Sequence, residues 1–203
     1  MSLVKQFYRR VRYGAPIIVV SGLPRSGTSM AMKMLDAGGV AIVTDGVRTA
    51  DESNPKGYYE FEPVKELDKN GDLSWLPGAR GKAVKIISFL LTYLPDTYDY
   101  KVVFMNRDID EVLASQNKMI AARGEADATE DAKMRKAYRQ HLEKVDRFLR
   151  TRACFATLRV SYKDVINNPA GEARRMNAFL GGKLNVERMA TVADRELYRN
   201  RKS

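Results

Sequence analysis

Cysteine is nearly absent from this chain: Cys154 is the only one in 203 residues. A lone thiol excludes an internal disulfide framework and fits a reducing compartment. Cys154 opens the apolar run CFATLRV, so a small buried hydrophobe is expected there rather than a reactive thiolate. Long apolar runs are missing as well. Those around Ile17 and Phe89 fall short of a membrane span, and the segment MSLVKQFYRRVRYG has neither the apolar core nor the small-residue cleavage signature of a secretory signal. The cytoplasm is the expected location.

What is abundant is positive charge. Lys and Arg number 35 against 25 Asp and Glu, for a formal net charge of +10, which favours anionic ligands. The excess is dispersed. Only small clusters stand out, RRVR at Arg9–Arg12 and RNRK at Arg199–Lys202, and they read as solvated surface. No recognised nucleic-acid module is present, so nucleic acid is not an expected partner. With 44% apolar residues, the length suits one domain, residues 1–203, with a well-covered core.

Strands are predicted at Pro16–Ser21, Val40–Val43, Ala83–Ile87, Lys101–Met105 and Cys154–Val160, with helical patterns between them. That alternation implies an α/β fold in three layers, a parallel sheet of about five strands with helices on both faces, and the loop after the first strand makes a P-loop-like domain the expectation. Ala31, Met34 and Leu35 mark the apolar face of a helix that Gly38-Gly39 ends. Ile109, Val112, Leu113 and Ile120 mark a second. Met134, Tyr138, Leu142, Val145 and Leu149 form one stripe of a third over Asp131–Arg150. Two stretches lack periodicity: Thr44–Tyr59, rich in turn formers and charge, is the expected substrate loop, and Arg123–Glu130 reads as a connection or lid.

The most informative segment is PIIVVSGLPRSGTSMAMKMLDAG, Pro16–Gly38. A β-branched run passes through a tight polar turn into a helix, so backbone N–H groups and the positive helix end converge on one point, with Arg25, Ser26, Thr28 and Ser29 beside it. An anion with several oxygens belongs there. Gly22 and Gly27 keep the frame of a Walker A loop, but Thr28 stands where that motif requires Lys. In PRSGTS the chain resembles the phosphosulfate-binding loop of the sulfotransferase superfamily. KVVFMNRDIDEVLASQNKM is similar to that family's second motif, a strand leading to Arg107 with Ser115 eight positions on, and FATLRVSYKDVINNPAGEARRMNAFLG to its closing strand and helix.

The resemblance implies transfer of a sulfuryl group from 3′-phosphoadenosine 5′-phosphosulfate to a hydroxyl or amine of a small-molecule, glycan or peptide acceptor. It implies that Arg25, Ser26, Gly27, Thr28 and Ser29 hold the 5′-phosphosulfate, that Arg107 and Ser115 hold the 3′-phosphate, and that Tyr162 stacks near the adenine. Arg199, Arg201 and Lys202 resemble a basic segment that also contacts the 3′-phosphate. Thr28 and Ser29 could equally be ordinary helix capping. No metal is required in principle where cationic side chains stabilise the departing phosphate. Lys85 corresponds in order to a family lysine that points at the sulfonate. A charge amid Val84, Ile86 and Ile87 is costly to bury without an anionic partner, and Lys82 is its competitor.

A general base must be a group within hydrogen-bond reach of the acceptor. His141, the only histidine, lies beside the apolar stripe and reads as a packed helix residue. Relatives with PRSGT use a Glu some way past the first helix, a region that Asp45 occupies here; Glu60 and Glu52 are the other candidates, spacing does not choose among the three, and Asp45 is ranked first and Glu60 second. Trp75 and Tyr58-Tyr59 could line an acceptor pocket or belong to the core. Two rivals stay open: a nucleotide-dependent kinase or hydrolase with a degenerate Walker loop, and a basic nucleic-acid-binding protein. Acceptor identity and two-fold association stay open too.

Overall fold

Alternation along each strand divides this molecule into two apolar layers. The structure is a computed structural model, and it describes residues 13–46, 59–69, 71–121 and 131–192. Four strands, β1 (Ile17–Gly22), β2 (Ala83–Lys85), β3 (Tyr100–Asn106) and β4 (Phe155–Ser161), form one parallel sheet in the order β2-β1-β3-β4. Ile17, Val19, Val84, Val102 and Phe104 face one side and Ile18, Val20, Ala83, Val103, Met105 and Val160 the other, as period-two geometry requires. Burial on both faces explains why β1 and β3 read as continuous apolar runs. Each fully buried aliphatic here contributes about 1.5–3 kcal/mol of transfer free energy.

Helices α1 (Thr28–Ala37), α2 (Ile109–Ala121), α3 (Asp131–Thr151), α4 (Tyr162–Asn167), α5 (Pro169–Leu180) and α6 (Val186–Thr191) cover the sheet. Residues of α1, α4, α5 and α6 (Met32, Leu35, Val165, Met176, Met189) pack on the Ile18/Val20 side. Val145 and Leu149 of α3 cover the Ile17/Val19 side, together with short 3₁₀ segments at Glu62–Lys69, Pro77–Ala79 and Ser88–Tyr93. The stripe predicted for α3 is thus the face it buries, with Tyr138 joining Leu23, Val112 and Leu113 in a smaller cluster. No described helix is long and apolar enough to cross a membrane.

The sheet has four strands where about five were expected. Val40–Val43 forms only an isolated parallel bridge, Ile42 with Ala83, with hydrogen bonds from Val43 N to Ala83 O and from Ala83 N to Ala41 O, both 2.8 Å. β2 is three residues long and offers little edge to pair with, and by Asp45 the chain has turned toward Glu60. The predicted strand Ala83–Ile87 also stops at Lys85, because Ser88 starts a 3₁₀ turn.

Candidate active site

Parallel strands end together, so the loops after β1, β2, β3 and β4 meet at one edge, where open α/β sheets bind ligands. After β1 the turn Leu23–Gly27 leads into α1. Arg25 has φ 67° and Gly27 φ 100°, left-handed conformations that tighten the turn. A Cβ added at Gly27 would stand 2.5 Å from the Tyr162 ring, and one at Gly22 2.6 Å from the Met105 carbonyl oxygen. Glycine at both places lets the turn press against the ends of β3 and β4.

The helix that begins here has Gly27 as its N-cap, no side-chain cap bond and no acidic residue in its first turn. Its positive end is therefore not neutralised by an acidic side chain of its own first turn. Ser26 is buried, its N–H donating to Leu23 O at 3.1 Å, and its Oγ has no hydrogen-bond partner among the described residues. Thr28 is buried and Ser29 half-buried at the start of α1. Donors of this kind in a tight turn suit a phosphate or sulfate group.

Arg107, just past β3, comes to the same place. Its Nε donates to Glu111 Oε2 at 3.0 Å, its Nη1 donates to the Arg25 carbonyl at 3.2 Å, and its guanidinium lies 4.3 Å from the Tyr162 ring centroid. Ser115, two turns along α2, accepts from Arg25 Nε at 3.0 Å. Four residues singled out in the sequence, Arg25, Arg107, Ser115 and Tyr162, thus form one contiguous group. Beside it a pocket of about 210 Å³ opens between the ends of β3 and β4, lined by Asn106, Arg107, Asp108, Glu111, Ser161 and Lys163.

Lys85 occupies the next strand end. Its register opposite Val20 places it on the α1 side of the sheet, and its Nζ lies 3.6 Å from Glu60 Oε1. Lys82, its competitor, is exposed. Glu60 also faces Lys65 at 3.3 Å. Asp45 is engaged differently: its Oδ2 accepts from the Glu62 backbone N–H at 2.6 Å and fixes the start of the 3₁₀ turn. Tyr59, with φ 50°, donates to Asp36 Oδ2 at 3.1 Å. Burial and then the Asp36 charge push its hydroxyl pKa up to about 12.

Other candidates lie apart. His141 places Nε2 2.9 Å from Ser88 Oγ and stacks on Phe89 at 3.8 Å. Burial, and then Lys144, hold its imidazole below the usual histidine range. Trp75 and Phe61, both partly buried, pack edge-on to each other against the core. Cys154 is a buried free thiol. Glu52, Tyr58, Arg199, Arg201, Lys202, the Arg9–Arg12 cluster, most of the Thr44–Tyr59 loop and the Arg123–Glu130 connection fall outside the described residues.

Glu111 is not among the sequence candidates, although its position four residues after Arg107 on a helix is the spacing of an ion pair. Ser161 and Lys163 are not among them either; the meeting of two strand ends brings them to the pocket.

A family model described as the sulfotransferase family matches residues 74–185, which run from before β2 to the start of α6 and leave out the turn after β1. The comparison with curated proteins found no match. Among solved structures, a Mycobacterium tuberculosis sulfotransferase is similar at 15% identity over 92% of this chain and 74% of that one, with a TM-score of 0.57. The sulfotransferase domain of a Synechococcus olefin synthase is similar at 14% identity over 94% and 84%, TM-score 0.57. Retinol dehydratase in complex with androsterone and inactive cofactor PAP is similar at 18% identity over 96% and 70%, TM-score 0.51. At such identities the likeness shows the fold.

Proposed function

Because this chain belongs to the sulfotransferase family, we propose that it transfers a sulfuryl group from 3′-phosphoadenosine 5′-phosphosulfate to a hydroxyl or amine acceptor. The observation that supports this donor above other nucleotides is the joining of two cationic anchors, Arg25 in the cradle and Arg107 at the next strand end, by a 3.2 Å hydrogen bond. A ligand with charged groups at both its 5′ and 3′ positions matches two such anchors. ATP, with all its phosphates in one chain, matches the cradle alone.

The donor, when bound, supplies an activated sulfuryl group whose bond to phosphate breaks as a bond to the acceptor forms. Cradle N–H groups and Arg25 bind and orient the 5′ end, and Arg25 stabilises charge developing on the leaving phosphate. Arg107 and Ser115 take the 3′-phosphate. The Tyr162 ring is already covered by the Arg107 guanidinium on one side, so its part is to set the guanidinium plane beside the adenosine. Lys85 neutralises charge on the transferring group. Glu60, the carboxylate paired with Lys85, takes the acceptor proton; Asp45 instead spends an oxygen on Glu62 N–H. The acceptor is a small molecule, glycan or peptide that enters along the Lys85 side.

Calorimetry in the absence of Mg²⁺ tests this. Adenosine 3′,5′-bisphosphate should bind in preference to 5′-ADP and ATP, and Arg107→Ala should abolish the preference. Equal or tighter binding of ATP that is indifferent to Arg107→Ala would replace this reading with a nucleotide-dependent kinase or hydrolase.

A further inference from the structure

Arg107 touches more than the space a ligand would fill. Its Nη1 hydrogen bond reaches across 82 positions of sequence to a backbone carbonyl, that of Arg25. Arg25 is one of two non-glycine residues with positive φ among those described, and such a conformation persists where the surroundings over-determine it. Here they do so from two sides. Arg107 holds the carbonyl, and Ser115 on α2 holds the Nε of the same residue.

Arg107 is itself fixed. Its side chain is 8% exposed and paired with a Glu111 that is 9% exposed, and its flat face lies on Tyr162, the ring that fills the space beside Gly27. The conformation of the turn after β1 is therefore dictated from the ends of β3 and β4.

We propose that Arg107 is a positioning residue for the phosphate cradle: its hydrogen bond to the Arg25 carbonyl holds the turn in the left-handed form that aims the cradle N–H groups at the 5′ end of the ligand. The two ends of the site are then coupled through one guanidinium, and whatever orders Arg107 tightens the cradle, reciprocally. Only the ligand arm of the test rests on the donor reading above.

The test uses Arg107→Met combined with Glu111→Gln in the full chain. Methionine keeps apolar contact with Tyr162, and glutamine avoids stranding a buried carboxylate. In the ligand-free protein, amide hydrogen exchange is followed by NMR at Ser26, whose N–H bonds to Leu23 O within the turn, and at Val19 and Val102 in the sheet. Exchange at Ser26 should speed up by about tenfold while the sheet amides keep their rates, the signature of a local opening. An unchanged Ser26 rate would overturn the proposal. So would an equal acceleration of turn and sheet, which would make Arg107 a general structural residue.

The second arm measures affinity for adenosine 5′-phosphosulfate, which has no 3′-phosphate to lose. The double variant should bind it about five- to twentyfold more weakly, within the range of known coupling between sites. Equal affinity would mean that Arg107 serves the 3′ end alone and would sink the proposal. A wild-type protein that fails to bind this probe counts against the donor reading, and the hydrogen-exchange arm then decides the positioning role by itself.

Discussion

Lys85 and Glu60 face each other at 3.6 Å with side chains only 9% and 16% exposed, so each carries the charge that makes the other tolerable at the end of β2. Glu60 also lies 3.3 Å from Lys65, so for it to act as the proposed base Lys85 must swing toward the anion that develops in the reaction and leave the carboxylate free to take the proton.

The first prediction concerns this pair. Lys85→Met and Glu60→Gln should each lower kcat by about 100-fold or more, the usual range for removing a charge stabiliser or a general base. Donor affinity should stay within a few-fold of wild type. The double variant should lose little beyond the worse single one, because the two act as a unit. Steady-state kinetics on all three variants, with binding of adenosine 3′,5′-bisphosphate measured alongside, checks this; full activity in Glu60→Gln would assign the proton to another group.

Gly27→Ala should cost roughly 1–3 kcal/mol of stability through backbone strain and the clash with Tyr162. It should also weaken adenosine 3′,5′-bisphosphate binding more than the stability loss explains. Urea unfolding and calorimetry on the same sample separate the two effects.

His141 gives a pH dependence of defined sign. Its folded-state pKa is lowered, first by burial and then by Lys144, so below the ordinary histidine pKa of about 6.5 the unfolded chain takes up a proton that the folded chain resists. Stability from this group is complete above that pH and declines as pH falls from there toward the lower folded pKa. Urea midpoints between about pH 7.5 and 5.5, in the range where histidine is the titrating side chain, should drop in wild type and drop less in His141→Asn. Parallel profiles would show that His141 carries none of it.

Asn168 serves as a contrast remote from the chemistry. Its side chain caps α5 by accepting from Gly171 N–H at 3.0 Å, with Pro169 in the first turn. Asn168→Ala should remove about 1 kcal/mol of stability and leave donor binding unchanged, as thermal unfolding and calorimetry would report.

Much of this was legible along the chain because its signals are local. The strand-turn-helix of Pro16–Gly38 and the strand and helix that place Arg107 and Ser115 each lie within one stretch of sequence, and these elements form as expected, β1 shifted by one residue and β3 one residue longer at each end. Choices that depend on distant partners were not legible. That Lys85 is turned into the fold while Lys82 is exposed depends on strand register. The different partners of Asp45 and Glu60 are decided by where the chain returns after residue 58, which no spacing encodes. His141 finds Ser88 across 53 positions, and the Arg107 bond to the Arg25 carbonyl ends on a backbone atom, to which side-chain identity gives no clue. The fifth strand failed for a related reason: β-propensity in Val40–Val43 is real, but its neighbour is three residues long and pairing needs two edges.

The solitary buried thiol has a practical consequence. Cys154 sits 4% exposed at the entry to β4, packed in the cluster that Val145 and Leu149 of α3 cover, so a reagent in solution reaches it only when that layer lifts. With no other thiol in the chain, the rate of its labelling is a clock for the opening of the sheet's α3 side. Run with and without a bound nucleotide, that clock would report how firmly a ligand at the strand ends locks the layer beneath it.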